Sequence, residues 1–135
     1  MKKILFVCYG NVGRSQWAEA FYNHYTKSKN AFSAGTDPKT PLKYPRLPDD
    51  VCLVMREQGI DISCQKVKFI TQEHVNEADE IYVLCKRKLS PNFLLNSDKV
   101  TFWQIPDPFN MNIEAMRKIR DLINKNVQAL ISAQD

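Results

Sequence analysis

The segment Cys8-Tyr9-Gly10-Asn11-Val12-Gly13-Arg14-Ser15 gathers a thiol, a guanidinium and a hydroxyl into one bend between an apolar run and a helical pattern. Gly10 and Gly13 permit positive φ and Asn11 tolerates it, so the loop is expected to curl with its N–H groups inward as an anion nest. The positive end of the following helix and the planar fork of Arg14 add to that field, and together they match a tetrahedral oxyanion such as phosphate. Without an anion, the same field acts on Cys8. A free thiol ionises near about 8.5, but one at a helix N-terminus beside a cation falls to roughly 3.5–7.5, so Cys8 is expected to be a thiolate at neutral pH. A nucleophile beneath a phosphate cradle points to phosphoryl transfer to sulfur. The alternative is a cysteine that ends a buried strand as a small hydrophobe; the glycines, asparagine, arginine and serine at these offsets favour catalysis. A Walker A loop is excluded, because no Gly-Lys-Ser/Thr occurs at the required spacing.

Phosphoryl transfer leaves an alkoxide or phenoxide that needs a proton. His24 and His74 fall inside helical patterns, away from any strand's carboxyl end, and read as surface or packed side chains. Asp107, in Ile105-Pro106-Asp107-Pro108-Phe109, lies past the last strand between two prolines that fix its backbone. Spacing alone leaves it equally a general acid or an exposed turn aspartate.

The elements that must position these groups are legible as alternating strands and helices. Ile4 to Cys8 is a continuous apolar run, as expected of a strand covered on both faces. Ser15 is expected to cap the next helix, in which Trp17, Phe21 and Tyr25 share one face. A second strand spans Ala31 to Thr36. Four prolines, Pro38, Pro41, Pro45 and Pro48, predict a long surface loop from Asp37 to Pro48 without helix or ladder. Asp49 and Asp50 open a helix that stops at Gly59, and Thr71 caps a short one containing His74. Further strands are expected at Glu80 to Cys85 and Val100 to Ile105, then a closing helix through Ile113, Met116, Ile119, Ile123, Val127 and Leu130. This alternation predicts an α/β fold, a small three-layer open sheet of four parallel strands with helices on both faces and the phosphate-binding loop after the first strand. Ligands of such sheets bind outside the carboxyl ends of the strands, where Cys8 and Asp107 both fall.

At 135 residues the chain reads as a single domain, able to bury about 68% of its unfolded surface. Its net charge of +4 comes from 19 basic and 15 acidic residues interspersed along the chain, which argues against nucleic-acid binding. The initial apolar run is too short for a signal core or a membrane span, so a cytoplasmic protein with no membrane partner is expected. Cys8, Cys52, Cys64 and Cys85 lack metal-ligand spacing and are expected to be free thiols.

These residues resemble the low-molecular-weight protein tyrosine phosphatases and the related thioredoxin-coupled arsenate reductases. The likeness includes the Cys8-to-Ser15 signature, Ala18-Glu19, Ser33-Ala34-Gly35-Thr36, Gly59-Ile60-Asp61-Ile62-Ser63, Ala78-Asp79-Glu80-Ile81 and Asp107-Pro108. It implies that Cys8 attacks phosphorus, that Arg14 clamps the transferring group, and that the amides of Tyr9, Gly10, Asn11, Val12, Gly13, Arg14 and Ser15 hold its equatorial oxygens. Asn11 would brace the loop, Ser15 would stabilise the thiolate, and Asp107 would act as acid and then base. Phe109, with Tyr9 and Tyr44 as further candidates, would wall the substrate ring. No cofactor or metal is needed, since arginine and amides supply the positive field.

Two departures bear on the substrate. Gly13 stands where typical phosphatases of the family have a second cysteine, and Asn110 stands where many have a second aromatic. Other stretches resemble the arsenate reductases: Gly13-Arg14-Ser15-Gln16, Gly35-Thr36-Asp37-Pro38, Ile62-Ser63-Cys64-Gln65 and Trp103. In those enzymes three cysteines relay electrons. Cys85 occupies the place of the second, but Ser90 stands where the third would be, and a serine cannot resolve a disulfide. The expected activity is hydrolysis of a phosphotyrosine protein or a small aryl phosphate. The alternatives are arsenate reduction by Cys8 with Cys85 or an external thiol, and a non-catalytic phosphate-binding module.

Overall fold

The structure, a computed structural model, describes residues 2–108 and 110–134. Four strands, β1 (Ile4–Cys8), β2 (Ala31–Gly35), β3 (Glu80–Val83) and β4 (Val100–Phe102), form one sheet in the order β2-β1-β3-β4. Every pairing is parallel. Among the described residues six helices connect and cover them: α1 (Arg14–Thr26), α2 (Thr40–Lys43), α3 (Asp49–Arg56), α4 (Gln72–Glu77), α5 (Asn92–Leu95) and α6 (Ile113–Ala133).

The unbroken apolar run of β1 follows from its central place. Successive side chains point to opposite faces, and Ile4, Phe6 and Cys8 join one core while Leu5 and Val7 join the other. The first core includes Trp17 and Phe21 of α1, Val54 and Met55 of α3, and Ile123 and Val127 of α6. The second, smaller core is closed by Val75 of α4 and Leu94 of α5. The expected three-layer arrangement is therefore observed, with a larger helical layer on the α1 side.

Local chemistry is visible near two of the helix ends. Gly59 takes φ of +76° three residues beyond α3, the left-handed region where a Cβ is costly. Thr71 accepts a hydrogen bond from the backbone N–H of His74, whose Nδ1 accepts from the backbone N–H of Thr71. That reciprocal cap is what His74 does; His24 is exposed on α1.

Several expectations are corrected. The proline-rich segment does contain a helical turn, α2, because Pro41 lies in its first turn, where a missing N–H loses nothing. Tyr25 continues the Trp17 and Phe21 stripe but emerges at the surface, 42% exposed and stacked on Phe21. Beyond β3 come a 3₁₀ turn, Arg87–Leu89, and the short α5, neither anticipated because both are too brief to leave a periodic pattern. β3 and β4 also end sooner than expected, and the chain beyond each supplies carbonyls to the site.

Candidate active site

Cys8 ends β1 with 2% of its surface exposed and pairs in register with Gly35 of β2. The loop after it closes on the sulfur. The Asn11 backbone N–H donates to Cys8 Sγ at 3.1 Å, and Ser15 Oγ lies 2.9 Å from the same atom. Asn11 Nδ2 donates to Ser15 Oγ at 2.7 Å, leaving that hydroxyl free to donate to the sulfur. Ser15 is thus not the helix cap expected from the sequence. Gly13 holds that position without a side chain, and Ser15 sits in the first turn of α1 with its hydroxyl turned inward. α1 begins at Arg14, so its positive end abuts the loop.

Positive φ in the loop falls on Asn11 alone, at +55°. Gly10 and Gly13, expected to share that role, do not, and a Cβ on either would make only ordinary contacts. Asn11 can hold the strained conformation because its side chain is bound on all sides. Its Oδ1 accepts from Lys68 N at 2.9 Å and from Gln16 Nε2 at 3.0 Å, and its carbonyl also accepts from Gln16. Gln16, fully buried, in turn receives Gln65 Nε2 at 2.6 Å. Gln16 and Gln65 lie in stretches that carried the resemblance, yet no role for either was readable, since the network joins residues about fifty positions apart.

Arg14 is 6% exposed and fixed from below. Its Nη1 donates to the carbonyls of Leu84 at 2.7 Å and Ile105 at 3.0 Å, just past β3 and β4. Nη2 lies 3.6 Å from Asp107 Oδ2, whose side chain is 56% exposed. Asp107 therefore faces the guanidinium at the mouth of the site, as a purely exposed turn aspartate would not. A cavity of about 520 Å³ opens over Cys8 and Arg14, with Tyr9, Gly10, Val12, Gly13, Tyr44, Asp107, Met111 and Met116 among its lining. Tyr9 and Tyr44, expected from the resemblance as walls for a substrate ring, both line this cavity. Met111 and Met116 were missed, and Phe109 lies outside the described residues.

Gly35 shows what the loop requires of its neighbour. A Cβ there would come within 2.8 Å of Tyr9 O and 2.9 Å of Asn11 N, both backbone atoms of the loop. Cys85 is buried with Ser90 Oγ 4.0 Å from its sulfur. Burial pushes its thiol up and charge on Cys8 adds to this, against the pull of the Ser90 hydroxyl and Arg14. Cys52 is also a buried thiol, and Cys64 is exposed. Among the described residues no cluster of three or more His, Cys, Asp or Glu could hold a metal, and no helix is long and apolar enough to cross a membrane.

The sequence pattern of the low molecular weight phosphotyrosine protein phosphatases matches residues 3–134. The chain belongs to this family. Within it, a glutaredoxin arsenate reductase of Synechocystis sp. is 30% identical over 133 residues, covering 98% of each chain. Among solved structures, an arsenate reductase in its phosphate-binding state superposes with a TM-score of 0.83 at 30% identity, over 98% of both chains. A low-molecular-weight protein tyrosine phosphatase from T. tengcongensis gives the same TM-score at 26% identity, over 98% of this chain and 99% of that one. The family thus holds two oxyanion chemistries on one fold.

Proposed function

We propose that the protein is a cysteine-dependent phosphatase acting on phosphotyrosine or other aryl phosphates. The observation that carries this reading is the convergence of the Asn11 N–H, the Ser15 hydroxyl and the anchored Arg14 around one sulfur, with Asp107 across the mouth. Cys8 Sγ attacks phosphorus, the S–P bond forms as the ester P–O bond breaks, and Asp107 gives its proton to the departing oxygen. The loop amides and Arg14 hold the three equatorial oxygens, whose charge rises in the transition state. Asp107 then takes a proton from water, which attacks phosphorus, breaks the S–P bond and releases phosphate.

Asp107→Asn should slow hydrolysis of phenyl phosphate by roughly 10²- to 10³-fold, within the range for losing a positioned acid. p-Nitrophenyl phosphate, whose leaving group departs unprotonated, should lose far less during thiol phosphorylation. Burst kinetics on the two esters checks this; equal losses in the burst would remove the general-acid role. Gly35→Ala should cost about 10²-fold in kcat/KM, the scale of a ~1 Å misplacement of reacting groups. Circular dichroism should report the sheet intact.

One observation favours a second reading, arsenate reduction. Cys85 follows Leu84, whose carbonyl anchors Arg14, and lines a cleft together with Arg14, and the relatives above include arsenate reductases. Ser90 in place of a further thiol makes that route dependent on an external thiol. Side-by-side assay with p-nitrophenyl phosphate alone and with arsenate plus thiol decides between them. The phosphatase reading expects turnover only in the first and none lost in Cys85→Ser; thiol oxidation that needs both arsenate and Cys85 would establish the second.

A further inference from the structure

A second cavity, of about 880 Å³, shares Arg14 and Asp107 with the one over Cys8. Lys86, Arg87 and Lys88 line it, with Phe102, Trp103 and Gln104 as the facing wall. All three cations are exposed, and among the described residues no carboxylate comes within ion-pair distance of any of them. Arg87 is held in place with its guanidinium 4.4 Å from the centre of the Phe102 ring. Among the described residues Asp107 is the only acidic one lining the cleft, and it faces Arg14. A recess with uncompensated charge of one sign and apolar walls focuses the field and attracts anions.

We propose that this cleft is a second anion subsite that selects phosphoprotein segments bearing Asp or Glu beside the phosphorylated residue. The phosphoryl group enters the cradle over Cys8, the chain crosses the Arg14–Asp107 pair, and the acidic side chains meet Lys86, Arg87 and Lys88. Apolar parts of the segment lie against Phe102 and Trp103. A nucleic acid fits less well, because the remaining basic residues are interspersed with 15 carboxylates and leave no long stripe to follow a phosphate backbone. The inference rests on the phosphatase reading for its phosphorylated substrate, although the cleft's charge preference can be measured without turnover.

The test uses three phosphotyrosyl peptides that differ only in having Glu, Gln or Lys flanks. They are compared as substrates of the native protein and of a K86Q/R87Q/K88Q variant, and as ligands of the Cys8→Ser form of each. The Glu peptide should exceed the Gln peptide by about tenfold in kcat/KM and in affinity, the scale of a few exposed ion pairs acting together. The Lys peptide should be weakest. The preference should vanish in the neutralised variant and at about 1 M salt, where the Debye length is ~3 Å. p-Nitrophenyl phosphate, too short to reach the cleft, should be hydrolysed alike by both proteins. Equal handling of the three peptides, a preference that survives neutralisation, or tighter binding of a single-stranded oligonucleotide than of the Glu peptide overturns the proposal. If p-nitrophenyl phosphate is not turned over at all, the phosphatase reading fails by itself, and the Cys8→Ser binding series still decides whether the cleft reads acidic segments.

Discussion

Cys8→Ser should lower hydrolysis of p-nitrophenyl phosphate on the order of 10⁶-fold, the scale seen when a nucleophile is removed from groups that act as a unit. The substitution changes one atom at a position with 2% exposure, so the β1 register and the loop should persist. What changes is the chemistry of that atom. The Asn11 N–H and the Ser15 hydroxyl at 3.1 and 2.9 Å can direct charge onto a sulfur, but a serine hydroxyl does not ionise in the accessible range and has no base beside it. Binding of inorganic phosphate should survive, since the loop amides and Arg14 remain. Steady-state hydrolysis together with phosphate titration by calorimetry checks both halves. A variant that kept a substantial rate would show that Cys8 is not the attacking group, whatever the cradle binds.

Arg14→Ala should reduce kcat/KM by roughly 10³- to 10⁵-fold, as when an arginine that neutralises a transferring phosphoryl group is lost. Most of the loss should appear in kcat, because the equatorial oxygens carry more charge in the transition state than in the bound ester. Arg14→Lys should recover little. A lysine has one ammonium and no fork, so it cannot donate to the Leu84 and Ile105 carbonyls while also facing the phosphoryl group. Those two carbonyls, deprived of their donor, should also cost about 1–3 kcal/mol of stability, measurable by urea unfolding. A lysine variant with near-native kcat would mean that point charge, rather than the guanidinium fork, is what the site requires.

How much of this was readable from the chain depends on how far apart the interacting residues lie. The cradle was legible because its sulfur, its turn residue, its hydroxyl and its arginine fall within eight consecutive positions, bounded by a strand pattern and a helix pattern. The sheet was legible for a similar reason: a fully apolar β1 must be covered on both faces, and alternating helices imply parallel strands. The details inside the bend were not. Gly10 and Gly13 looked like the conformational hinges, but Asn11 alone takes positive φ, because Gln16 and the Lys68 N–H hold its side chain in place. Ser15 looked like a cap, but its hydroxyl turns instead to the sulfur of Cys8, seven positions earlier and 2.9 Å away. The small helix α2 was hidden by prolines that a first turn tolerates.

By itself the sequence determined which groups share the bend, a thiol, a turn residue, an arginine and a hydroxyl within eight positions, and the alternation of elements that puts them at a sheet's carboxyl edge. Only the tertiary structure decided how they are held. The carbonyls that anchor Arg14 come from positions 70 and 91 residues away, Asp107 meets the guanidinium across the sheet edge, and Gly35 gives the loop its room from the neighbouring strand. The physical reason is that hydrogen-bond geometry and close packing act over a few ångströms of space, while a chain read in order reports only which groups are available to be brought that near.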